Sequence, residues 1–90
     1  MRTARRLHTI GFTEYQRTTD AAITTARATL RQFRAGRASW HEADRAVLAA
    51  FRAVTHNTPP VAAMTDAQFR QYQRVGARYN RLRRDFVENH

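Results

Sequence analysis

Arg70, Arg74 and Arg78 stand four residues apart. On a helix that spacing puts three guanidinium groups on successive turns of one face. A guanidinium is always charged, is planar, and presents a fork of donors that fits a phosphate. The chemistry such a row supports is contact with a nucleic-acid backbone, where each phosphate neutralised releases counterions. The surrounding stretch, QFRQYQRVGARYNRLRRDF at residues 68–86, holds six arginines and no lysine. Arg81 extends the basic face but stands four residues before Asp85, and Arg84 stands four before Glu88. Pairs at that spacing neutralise each other locally and contribute about 0.2–0.5 kcal/mol each. Arg70, Arg74 and Arg78 are therefore expected to form the unpaired row, with Arg83 alone falling among the apolar positions. A second row is Arg27, Arg31 and Arg34, continuing to Arg37, and the N-terminal stretch adds Arg2, Arg5 and Arg6. If the two helices that carry the rows are neighbours, the rows merge into one positive surface.

Other chemistries find little support. None of His8, His41, His56 and His90 has a second histidine three or four residues on. HEADR at residues 41–45 begins like a helical zinc-protease motif but lacks its second histidine. Ser39 is the only serine, and helix capping accounts for it. Asp85 and Glu88 sit near a helix end among arginines, a poor setting for paired carboxylates. Gly11, Gly36 and Gly76 are isolated, so no glycine-rich phosphate loop exists; Gly76, on the apolar side of its helix, predicts a close helix approach. The absence of cysteine excludes disulfides, thiolate metal sites and cysteine nucleophiles. We expect no enzyme, no cofactor and no metal.

Ninety residues make one domain, with a core limited to about 60–65% burial of the unfolded surface. All 16 basic residues are arginine, against 7 acidic ones, for a formal net charge of +9. Arginine standing for every lysine is what GC-rich coding produces, so the residue type is a weak signal. The charge is a physical one: it attracts phosphates, anionic lipid or an acidic protein, and speeds encounter at low salt. No run of about 18 apolar residues offers a membrane span. MRTARRLHTIGF has the positive end of a signal peptide without its apolar stretch, so a cytoplasmic protein with no membrane contact is expected.

Three helices must position these residues. Thr13 with Gln16, Ser39 with Glu42, and Thr65 with Gln68 each match a capping box, in which a hydroxyl accepts from the N3 amide while the N3 side chain reaches back. Each opens a periodic stretch. The first helix is expected over residues 14–35, ending at Gly36, a natural position for left-handed backbone. Tyr15, Thr19, Ala22, Ile23, Ala26, Leu30 and Phe33 share its apolar side. Five threonines lower its intrinsic propensity, so it depends on packing. The second is expected over 40–56, with Trp40, Ala43, Val47, Ala50 and Val54 inward and Leu48 and Phe51 widening the stripe. Ala46, Ala49 and Ala53 make its remaining surface small and apolar. It is therefore either the middle of the bundle or a contact surface. Pro59 and Pro60 break the chain. The third helix is expected over 66–88 with Phe69, Tyr72, Val75, Tyr79, Leu82 and Phe86 inward.

The fold class is all-α: a three-helix bundle at residues 13–90 behind a basic N-terminal arm at 1–12. A helix-turn-helix does not fit, because the second helix is too apolar to read bases and nine residues with two prolines, 57–65, precede the third. Two functions are expected. The first is a non-enzymatic nucleic-acid-binding accessory protein, or a small helical subunit of a nucleoprotein complex. It would contact DNA or RNA phosphates through Arg70, Arg74, Arg78, Arg81, Arg27, Arg31 and Arg34. The alternative is a small phage- or plasmid-type inhibitor or adaptor that docks on an acidic or DNA-processing host protein. Trp40, Ala46, Ala49 and Ala53 would form its protein interface, and a homodimer through the same helix is a further expectation. Trp40 is read first as a core anchor; an exposed Trp40 marks an interface.

Overall fold

The structure, a computed structural model, describes residues 11–56 and 58–88. It is an all-α three-helix bundle: α1 (Phe12–Arg34), α2 (Trp40–Thr55) and α3 (Asp66–Glu88), with a short 3-10 turn at Val61–Ala63. Apart from Gly11 and Phe12, the arm expected at residues 1–12 lies outside the described residues.

Two of the three capping boxes form. The Ser39 hydroxyl accepts from the Glu42 amide at 3.0 Å, and the Glu42 carboxylate accepts from the Ser39 amide at 2.8 Å. Thr65 and Gln68 make the same exchange at 3.1 and 3.0 Å. The third does not form. α1 starts at Phe12 with Gly11 as its N-cap and no side-chain cap. The Gly11 carbonyl already accepts from the Tyr15 amide at 2.9 Å, so Thr13 is inside the first turn. Aromatic contact favours this earlier start, since the Phe12 ring lies 6.1 Å from that of Tyr15.

α1 ends in a Schellman motif. The Arg37 amide donates to the Gln32 carbonyl at 2.8 Å and the Gly36 amide to that of Phe33 at 3.0 Å, with Gly36 left-handed at φ 78°. The Arg37 Nε also donates to Gln32 Oε1 at 2.7 Å. This tight turn folds α2 back against α1, and these two helices share the most extensive contact. Ala26, Ala43 and Ala50 are fully buried there, and small side chains let the two backbones approach closely.

α3 returns parallel to α1. The contacts rise together in both helices: the Tyr15 ring lies 6.0 Å from Tyr72, and the Phe33 ring 6.5 Å from Phe86. α2 runs antiparallel to both, with Phe51 against Tyr79 at 5.8 Å and Trp40 against Phe86 at 5.9 Å. The core gathers Ile23, Ala26, Leu30, Ala43, Val47, Ala50, Val75, Tyr79, Leu82 and Phe86. Thr19, fully buried, satisfies its hydroxyl on the Gln16 carbonyl at 3.0 Å.

Several inward expectations fail at the edges of α2 and α3. Trp40, Leu48, Phe51 and Phe69 are each about two-fifths exposed. Three helices cannot cover an α2 that is apolar nearly all round, and its α1 side is already filled by alanines. Arg83 is likewise exposed, not in the core. Gly76 mediates no close approach: a Cβ there would meet nothing within 4 Å.

Tyr15 ties the end of α2 to α1. Its hydroxyl donates to the Val54 carbonyl at 2.9 Å. Burial pushes its phenol up to about 12, with the Tyr72 phenol adding to the rise and a Thr58 hydrogen bond opposing it. Tyr79 is also raised, mainly by burial, with Arg83 pulling the other way.

Gly76→Ala, in open space within a helix, should stabilise the fold by about 0.5–1 kcal/mol, whereas Gly36→Ala, forced to a positive φ, should destabilise it by about 1 kcal/mol. Urea unfolding monitored by circular dichroism reads both. Tyr15→Phe should cost about 1 kcal/mol at pH 7 through the lost hydrogen bond. The folded phenol keeps its proton above the ordinary value of 10.0, so wild-type stability falls as pH rises from there towards 12. The variant lacks that loss, and its deficit against the wild type should narrow at pH 11. A deficit that widens at pH 11 contradicts the assignment.

Candidate nucleic-acid interface

The arginine rows come together along the α1/α3 seam. Arg78 Nη1 donates to Asp20 Oδ1 on α1 at 2.6 Å. Arg27 on α1 lies 3.9 Å from Asp85 on α3. Gln16 Nε2 reaches Gln71 Oε1 at 3.4 Å, further along the same seam. These bonds fix which flank of each helix faces the other. Arg74 and Arg81 lie one turn either side of Arg78, and Arg70 one turn further. Arg31 and Arg34 lie one and two turns beyond Arg27. All five are exposed. Successive arginines in a row stand about 6 Å apart along the helix axis. The parallel direction of α1 and α3 makes the two rows run side by side.

The seam differs from its expected form in its ion pairing. Arg78 does not belong to an unpaired row; its charge is taken by Asp20. The residue that pairs with it is 58 positions away in sequence, so no local spacing rule could have found it. Asp85 likewise reaches across to Arg27 on α1. Both ion pairs are about one-third to two-fifths exposed and water-screened, so each contributes at most about 1 kcal/mol. Their main effect is to orient the seam. Arg31, Arg34, Arg70, Arg74 and Arg81 remain with their guanidinium groups facing solvent. Arg31 and Arg34 also occupy the last turn of α1, where positive charge complements the helix dipole.

Of the residues expected to form a protein interface, Ala46, Ala49 and Ala53 follow one flank of α2 at three- and four-residue spacing. Ala46 is half-buried and packs against the core, Ala53 is half-buried, and Ala49 is exposed. Trp40 is 43% exposed and stacks on Phe86. A further open surface with apolar side chains is a groove of about 570 Å³ between α2 and α3. Val47, Leu48 and Phe51 line its α2 wall, and Tyr79, Phe86 and Val87 its α3 wall. Leu48 and Phe51 read in sequence as a widening of the core stripe, which hid them as surface residues.

His41 and His56 are exposed, and His8 and His90 lie outside the described residues. Among the described residues no three His, Asp or Glu side chains gather where a metal could sit. None of the described helices is long and apolar enough to cross a membrane. Compared with known proteins, the chain matches no family model, no curated protein and no solved structure.

Proposed function

We propose that this protein is a non-enzymatic nucleic-acid-binding accessory protein, or a small helical subunit of a nucleoprotein complex, that grips the phosphate backbone along the α1/α3 seam. The observation that carries this reading is the alignment of two arginine rows on parallel helices. Arg31 and Arg34 from α1 stand beside Arg70, Arg74 and Arg81 from α3, around two arginines already held by aspartate. Arg27 and Arg78 act as the ordered centre of the surface, and the five others are its contacts. A surface of this kind contacts backbone phosphates, which position a protein on nucleic acid without reading its sequence. The net charge of +9 adds long-range attraction to any polyanion.

Fluorescence anisotropy with labelled duplex DNA, single-stranded DNA and RNA, each titrated with salt, tests the proposal. Wild type should bind at least one of them at micromolar concentration or tighter. On duplex DNA the log–log salt slope should be about −0.9 per phosphate contacted. Arg70→Glu with Arg74→Glu should weaken binding by at least about tenfold and flatten the slope by roughly two contacts. Arg45→Glu with Arg52→Glu changes the net charge equally on the outward face of α2 and should have a much smaller effect. Equal losses from both pairs would reduce the seam to general charge. No binding to any of the three at low salt would reject the proposal and turn the search to an acidic protein partner.

A further inference from the structure

We propose that the α2/α3 groove is the contact face of a two-fold homodimer. The groove mixes apolar side chains with polar ones: Asn80 lines it, and it carries one charge of each sign, Asp44 on α2 and Arg83 on α3. Neither has an ion-pair partner within the chain among the described residues. A two-fold axis through the groove lays α2 of one protomer over α3 of its partner. Asp44 then meets the partner's Arg83, and the same contact repeats on the other side of the axis. This surface is its own complement. A docking site for an acidic protein would instead be lined by one sign of charge.

The apolar residues fit the same arrangement. Leu48 is 42% exposed, Phe51 41% and Val87 55%. The described chain is flat, 46 × 30 × 17 Å, and its radius of gyration of 14.7 Å exceeds the roughly 12 Å of a compact domain this long. Two helices side by side offer a face about 24 Å long and about 20 Å wide. That face has a footprint of about 480 Å², short of the roughly 800 Å² per partner of a standard stable pair. The dimer therefore belongs at the weak, concentration-dependent end of the range.

Self-repulsion at +9 per chain does not forbid it. The arginine seam lies on the flank of α3 that faces α1, and the groove lies on the flank that faces α2. Association through the groove leaves both seams on the outer sides of the dimer. Salt at about 0.3 M screens what repulsion remains, since the Debye length there is well under about 10 Å.

Sedimentation equilibrium of the full chain at that salt, without nucleic acid, tests the dimer independently of the proposed binding function. Wild type should pass from 10.4 kDa to twice that mass as concentration rises. Asp44→Arg and Arg83→Asp each place like charges opposite one another and should weaken association by at least about tenfold. The double variant Asp44→Arg/Arg83→Asp restores opposite charges and should recover most of it. All four chains should keep the same helical circular dichroism, since both positions are at the surface. A chain that stays monomeric up to millimolar concentration overturns the proposal. So does a dimer indifferent to both single changes, or a double variant as weak as either single one.

Discussion

Two parallel helices rich in arginine repel each other along their common edge, and this bundle has to hold such a pair together. Hydrophobic burial supplies the attraction. Tyr15 against Tyr72 at one end and Phe33 against Phe86 at the other clamp α1 to α3, with Ile23, Leu30, Val75 and Leu82 buried between. Asp20 and Asp85 relieve the repulsion where it is sharpest, each taking an arginine from the opposite helix. Exposed pairs of this kind add little stability, but they decide which flank faces which. The positive surface is therefore a consequence of how the core is closed.

The two sides of α2 show how side-chain size sets the remaining geometry. Toward α1 it presents Ala43 and Ala50, and the helices close tightly. Toward α3 it presents Trp40, Leu48 and Phe51, and the meeting aromatic rings of Phe51 with Tyr79 and Trp40 with Phe86 prop the helices apart. An open groove results, on the side of α3 away from the arginine seam. One surface is polar and basic, the other apolar and charge-balanced. The division gives the molecule two chemically different faces.

The sequence carried most of the fold in readable form. Ser39 with Glu42 and Thr65 with Gln68 announce helix starts because capping is local chemistry, and Gly36 announces an end for the same reason. The Thr13 box misled because an equally local aromatic contact, Phe12 with Tyr15, favours an earlier start. Helical periodicity identified the buried stripe of α1 correctly. It overreached on α2, because a wheel cannot tell how many neighbours a helix has. The arginine rows were visible as spacing, but the direction of α3 was not. Parallel packing of α1 and α3 is set by tertiary contact, and with it come the cross-seam pairs of Arg78 with Asp20 and Arg27 with Asp85. Asp44 carried no signal in the sequence, and Arg83 stood out only as an arginine among apolar positions, until the groove brought both to its walls.

The central claim is that the α1/α3 seam is the phosphate-contacting surface. Nuclear magnetic resonance of arginine side-chain Nε–Hε groups during titration with a short DNA duplex tests it residue by residue. The resonances of Arg31, Arg34, Arg70, Arg74 and Arg81 should shift and broaden together, while those of Arg45, Arg52 and Arg83 hold their positions. Shifts concentrated at Arg45 and Arg52, or spread evenly over every exposed arginine, would contradict it.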